Sequence, residues 1–225
     1  MMRTYDLHIR FDSHENEEEL IQIKQMATQL GYLGIALESP QRIQPDEKFP
    51  SLDILHRMTL FPRSAAHLRV RVKKHAQQTD LLVIHGRSKL IWHVAAEIPS
   101  IHMVMLNDVE DYLTVDSKVA RIMANHDKPV ELCLHNLLKL TGSFRSRLMR
   151  VMHTAIDHLE RANCPFIFTS GASHSFELRA PKELEALSYL ASVSEESAKI
   201  AMHETPTTLV TLIQKTQEAK PGRKS

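Results

Sequence analysis

Leu81-Leu82-Val83-Ile84 is a run of large aliphatic side chains with nothing polar in alternation. A strand with one wet face alternates apolar and polar residues. One that is apolar at every position belongs in a parallel sheet covered on both faces. Val130-Glu131-Leu132-Cys133-Leu134 and Phe166-Ile167-Phe168 read the same way. Outward from these, strand-like runs centre near Leu7, Ile35, Ile54, Leu82, Met103, Leu132 and Phe168, and segments of helical period separate them. About seven βα units in about 190 residues predict an α/β fold, a barrel or near-barrel of the TIM type. A doubly wound open sheet is the main alternative.

The helical segments carry their own punctuation. Glu15–Leu30 sets Leu20, Ile23, Ala27 and Leu30 on one stripe, with Gly31 after it as a C-terminal cap. Its first turn holds Glu15, Glu17, Glu18 and Glu19, which suit the positive end of the helix dipole. Ser143–Ala162 repeats the stripe with Phe144, Leu148, Val151, Ala155, Leu159 and Ala162. Ser64–Gln78 and Thr114–His126 read as further helices. Two short C-terminal helices follow, the first capped by Ser192 or Ser194, the second by Thr205 with Pro206 at its first position. This reading places residues 1–216 in a single barrel domain and leaves the polar segment 217–225 as a disordered tail.

Composition bounds the function. A hydrophobic fraction of 43% and a charged fraction of 24% over 225 residues suit one globular domain and exclude a disordered or fibrous chain. No apolar run approaches the roughly eighteen residues that a membrane span needs, and the N-terminus lacks a signal-type apolar core. The prediction is a cytoplasmic protein without a membrane partner. Cys133 and Cys164 lie in apolar segments and read as core thiols, since no metal-ligand cysteine spacing exists.

Net charge is only +1, so no global basic field draws nucleic acid to the chain. The distribution is uneven. Residues 1–50 carry nine acids and five bases, whereas Ile54 to Ala95 holds eight bases against Asp80 alone. Lys139 to Arg150 adds four bases and no acid. Basic and acidic sectors are expected on the folded surface.

In a parallel barrel, function gathers where strands end. The residues read at those ends are Asp6, His8, Arg10, Glu38, Arg57, His85, Gly86, Arg87, Asn107, Asp108, His135, Asn136, Ser170, Gly171 and His174. Asp6 and His8, two apart on a strand, could share a cation in the barrel mouth. No HxH, HExxH or paired-Asp motif supports it, and no metal or catalytic residue is assigned. Thr169-Ser170-Gly171-Ala172-Ser173-His174 is a small-residue turn whose N–H groups suit phosphate, without GxGxxG, Walker or GxSxG patterns. Arginines and lysines near strand ends can hold a phosphate backbone. The candidate RNA-binding set is Arg57, Arg87, Lys89, Arg145, Arg147, Arg150, Ser170, His174, Arg179 and Lys182. Seven Phe, four Tyr and one Trp are few for single-strand stacking platforms, so structured RNA met through phosphates and 2′-hydroxyls fits better.

Several words of the sequence resemble a known family. They are Tyr5-Asp6-Leu7-His8, Gly34-Ile35-Ala36-Leu37, Leu55-His56-Arg57-Met58, Arg145-x-Arg147, and Phe166-Ile167-Phe168-Thr169-Ser170-Gly171-Ala172. Leu178-Arg179-Ala180-Pro181 and the helix after it complete the set. Together they resemble archaeal ribonuclease P protein component 3, the thirty-kilodalton subunit family, over roughly residues 3–213. The resemblance implies a TIM-like barrel related to the PHP (polymerase and histidinol phosphatase) superfamily. It implies a non-catalytic subunit of an endoribonuclease holoenzyme, whose RNA subunit removes the 5′ leader from precursor tRNA with bound magnesium. No cofactor is implied for the chain itself. Implied partners are the ribonuclease P RNA, the RRM-like protein component 2, other protein subunits, and precursor tRNA as holoenzyme substrate. A PHP-type metal-dependent phosphoesterase is the alternative. Asp6-Leu7-His8 stands where that superfamily opens with HxH, and Ser170-Gly171 where it would place Asp-x-His.

Overall fold

The computed structural model describes residues 4–11, 17–43, 48–191 and 193–218. The elements run β1 (Tyr5–Arg10), α1 (Glu17–Gln29), β2 (Gly34–Glu38), β3 (Asp53–Leu60), α2 (Ala65–His75), β4 (Leu81–His85) and α3 (Lys89–Glu97). Then come β5 (Met103–Leu106), α4 (Val109–Tyr112), α5 (Ser117–Asn125), β6 (Val130–Cys133), α6 (His135–Lys139), α7 (Gly142–Arg161) and β7 (Phe166–Thr169). The C-terminal elements are α8 (Pro181–Ser188), α9 (Glu195–Lys199) and α10 (Thr205–Glu218).

Each predicted strand centre falls in a strand. The seven strands are all parallel and pair in chain order, β1 to β7. A doubly wound sheet would reverse that order at a switch point, so the sheet is a nearly closed barrel. Closure between β7 and β1 is partial. Gly171 N–H donates to the His8 carbonyl at 3.0 Å and Arg10 N–H to the Ala172 carbonyl at 2.8 Å, around one isolated Ile9–Ala172 bridge. The Arg10 guanidinium fastens the same seam by donating to the Gly171 carbonyl at 2.9 and 3.2 Å.

Local chemistry sets the helix ends. After α1, Tyr32 N–H reaches the Ala27 carbonyl and Gly31 N–H the Thr28 carbonyl, a Schellman closure with Gly31 at φ 85°. Asn163 and Asp127, at φ 51° and 50°, end α7 and α5 with the same pair of bonds. Ser64 caps α2 by accepting from His67 N–H at 3.1 Å. The predicted Thr114–His126 helix begins later, at Ser117. Asp116 accepts from the Lys118 and Val119 N–H groups and starts it there, after the separate short α4.

Most of the differences lie at the C-terminus. Ser194 caps α9, accepting from Ser197 N–H at 3.1 Å; Ser192, the other candidate, lies outside the described residues. Thr205 is not a cap. α9 continues through a π-helical segment, Ile200–Glu204, into α10, with Thr205 N–H bonded five residues back to the Ile200 carbonyl. An α-helix would set the Pro206 ring against the carbonyl four residues before it, and the widened turn gives the ring room. α10 then packs Leu209, Val210 and Ile213 beneath the barrel, against Tyr5, Leu7, Leu55, Val83, Met103 and Ile167. It carries the domain two residues past the expected boundary at 216. Gln217 is helical, and its amide donates to Asp80 Oδ1 at 2.7 Å. Residues 219–225 of the expected tail lie outside the described residues, as does Glu15. Among the described residues no helix is long and apolar enough to cross a membrane.

Candidate nucleic-acid interface

Above the apolar floor the barrel interior turns polar. Arg57 is wholly buried at 0% exposure, four residues into an eight-residue strand and not at its end. Its guanidinium meets Glu131 as a two-toothed fork, Nη1 to Oε1 at 2.9 Å and Nη2 to Oε2 at 2.8 Å. Nη1 also donates to the Leu7 carbonyl at 2.7 Å. His8 Nδ1 lies 2.8 Å from Glu131 Oε1 and its Nε2 3.0 Å from Glu38 Oε2. Thr169 Oγ1 donates to Glu131 Oε1 at 2.7 Å.

The electrostatics close on themselves. Burial opposes ionisation of Glu131, yet Arg57 and His8 outweigh it and hold the carboxyl at about 2. Glu38 is also held at about 2, burial being overcome by the His8 hydrogen bond and the Arg57 charge. For His8, burial and Arg57 disfavour the proton, but Glu131 and Cys133 prevail and lift it well above 6.5. Two cations thus face two anions in the interior. Asp6 stands apart. Burial raises its pKa, only partly offset by hydrogen bonds from Ser170 and the His8 N–H. Asp6 and His8 do not turn toward one point, because β1 shifts register between Asp6 and Ile9. Asp6 accepts from Ser170 N–H at 3.3 Å while the His8 ring goes to the glutamates.

Two members of the candidate RNA-binding set are therefore withdrawn. Arg57 serves the interior. Ser170, 1% exposed, turns its hydroxyl to the Ala172 N–H at 3.1 Å and to Asp6. The others are at or near the surface. Arg87 bridges Asp108 at 2.5 Å and Asp111 at 3.2 Å, and Lys89 meets Asp116 at 2.5 Å. Arg145 donates to the Leu140 carbonyl at 2.6 Å and closes the end of α6, while Arg179 donates to the Phe176 and Leu178 carbonyls. Arg147 and Arg150 are exposed on the first half of α7. His174 lies stacked on Phe176. Lys182 departs from the set, lining a different groove with Thr4 and Gly31, which precede β1 and β2.

Glu131 and Asp111 were missed. Asp111 is wholly buried, 2.7 Å from His85 and in a reciprocal capping box with Asp108. A signal for Glu131 existed, since it is a lone acid inside an apolar strand, as Arg57 is a lone base in Leu55-His56-Arg57-Met58. Neither strand names the other as partner. His135, at the rim, is pushed down to about 4, first by burial and then by Arg10, so it is neutral at physiological pH.

The donors do not suit a catalytic metal. The Glu131 carboxylate, central to the interior, is already filled by a guanidinium, an imidazole and a hydroxyl. Among the described residues one set of three ligating side chains comes within 4.8 Å, His85, Asp108 and Asp111, and Arg87 holds both of its carboxylates.

Comparison with known proteins agrees with this architecture. Ribonuclease P protein component 3 of Methanosarcina barkeri is 25% identical over 201 residues, 87% of this chain and 84% of that protein. A chain of archaeal ribonuclease P, solved with mature tRNA, superposes with a TM-score of 0.77 at 19% identity, covering 97% of this chain and 96% of that one. An amidohydrolase superposes with a TM-score of 0.62 at 12% identity over 94% of this chain and 75% of that one, a likeness of fold alone. The family model for ribonuclease P subunit p30 matches residues 3–218, a span that holds every described residue, and this chain belongs to that family.

Proposed function

We propose that this chain acts in ribonuclease P as a non-catalytic support of the RNA that removes the 5′ leader from precursor tRNA. The observation that carries the reading is the interior. Where a hydrolase on this fold would gather open ligands, Arg57 and His8 neutralise Glu38 and Glu131, the two carboxylates that meet across the interior. Magnesium then belongs to the RNA subunit. The relatives' shared name and the subunit-like fold support the assignment.

What the residues do is electrostatic. Arg87 after β4, and Arg147 and Arg150 on the first half of α7, present exposed guanidiniums, and each phosphate they meet would release counterions. Component 2 would take another face, leaving these arginines to RNA. The test is cleavage of precursor tRNA by the reconstituted holoenzyme with and without the chain, followed by a salt series. Arg147→Ala with Arg150→Ala should lower the slope of log K against log salt by roughly 0.7–0.9 per lost contact. An unchanged slope with unchanged cleavage would show that these arginines only meet water. Magnesium-dependent cleavage by the isolated chain, abolished by His8→Ala, would return the phosphoesterase reading.

A further inference from the structure

Three of the seven phenylalanines stand mostly in water: Phe61 at 61% exposure, Phe144 at 70% and Phe176 at 71%. Each follows the finishing end of a strand. Phe61 comes directly after β3, Phe144 in the first turn of α7 after β6, and Phe176 in the turn after β7. Two of the rings are propped. Phe61 leans on His85, centroids 5.0 Å apart and tilted 56°. Phe176 lies face to face with His174 at 5.2 Å and 6°. The stacked Phe176 ring has one face backed, the tilted Phe61 ring is braced at an angle, and both stay mostly exposed to a ligand.

Both propped rings border cavities with basic side chains in their walls, and Glu177 also lines the second. Phe61 lines one of about 350 Å³ with Arg63 and Arg87. Phe176 lines one of about 270 Å³ with Lys139 and Arg179. The acids nearby, Asp108 and Asp111 at the first and Glu177 at the second, are held by Arg87 and Lys139. An incoming phosphate therefore meets cations and already paired carboxylates.

We propose that Phe61 and Phe176 are stacking platforms for unpaired RNA nucleotides, with Arg63, Arg87, Lys139 and Arg179 placed for the flanking phosphates. This rests on the reading of the chain as a ribonuclease P subunit. Every base has a π-face, so an aromatic ring holds an unpaired nucleotide whatever its identity, whereas a duplex keeps its faces stacked. A protein partner fits less well, because the apolar area is divided between two ringed sites and the cores of protein interfaces are depleted of lysine. The small number of aromatics, which argued against such platforms, is answered by their placement.

The chain offers its own reporter. Trp92, its one tryptophan, is wholly buried, so Phe61→Trp or Phe176→Trp adds a single exposed indole. Each variant is mixed with component 2 and then titrated with the ribonuclease P RNA, or with an RNA duplex as control. Quenching by the ribonuclease P RNA and not by component 2 or the duplex is the expected result. Phe61→Ala and Phe176→Ala should each weaken RNA binding by roughly 5- to 150-fold, the range for one stacked base. Their salt slope and melting temperature should stay at the parent values. RNA that binds with the parent salt slope but without quenching, and with Phe→Ala affinity unchanged, would overturn the platforms and leave the subunit reading standing. Quenching by component 2 would make the rings a protein contact and also overturn the proposal. RNA that does not bind at all would remove both readings.

Discussion

Arg57→Met tests whether the interior is held by a charge network or only by packing. The substitution keeps an unbranched chain of similar length and removes the guanidinium. Glu131, at 0% exposure, then loses both prongs of its fork, Leu7 loses a donor to its carbonyl, and Glu38 loses a cation 3.7 Å away. Removing one partner of a buried pair leaves the other charge uncompensated, at about 3–5 kcal/mol. Against a total stability of about 5–15 kcal/mol, that is a large share. At about 2–4 °C per kcal/mol for a chain of this size, the melting temperature should fall by roughly 6–20 °C. Urea unfolding followed by far-ultraviolet circular dichroism gives the free energy directly. The paired variant Arg57→Met with Glu131→Met removes both charges. Its cost should fall well below the sum of the two single costs, since apolar replacement of a whole buried pair is often neutral. If Arg57→Met costs under about 1 kcal/mol and the two substitutions simply add, the network does not hold the barrel and the reasoning fails.

Two further outcomes follow from the same interior and from the seam beside it. Glu38 and Glu131, held at about 2 against an ordinary 4.5, stabilise the fold above pH 4.5 and lose that contribution as pH falls toward 2. His8, lifted well above 6.5, contributes fully below 6.5 and loses its share as pH rises through its folded value; urea midpoints flat across both ranges would contradict this. Gly171→Ala should be more destabilising than Gly142→Ala. Both glycines have φ near +60°, but a Cβ at 171 would lie 2.4 Å from Cys133 Sγ, while at 142 nothing lies within 4 Å. Equal costs for the two, read from paired melts, would show that Cys133 and His135 yield to accommodate the added Cβ.

What the sequence determined by itself is the kind and order of the elements. Runs such as Leu81–Ile84, apolar at every position, require cover on both faces, and helices between parallel strands supply it. Gly31 after α1 and Ser194 before α9 marked helix ends because capping is a contact between near neighbours, so its signal is local. The π-turn before Pro206 eluded the reading. Proline's fixed φ suits a helix start as well as a widened turn, and the packing of α10 under the barrel decided between them. The candidate site was legible only as a collection of residue types. Alternation placed Asp6 and His8 on one face, and a register shift of a single strand parted them. Arg57 and Glu131, 74 positions apart, share a hydrogen bond because barrel closure brings β3 and β6 across one interior, which no local pattern encodes. The exposure of Phe61 and Phe176 was likewise decided in three dimensions, since a phenylalanine's burial depends on which elements cover it. Periodicity acts between residues a few positions apart and fixes element types. Contacts between distant strands depend on register, curvature and closure, and the tertiary structure alone sets those.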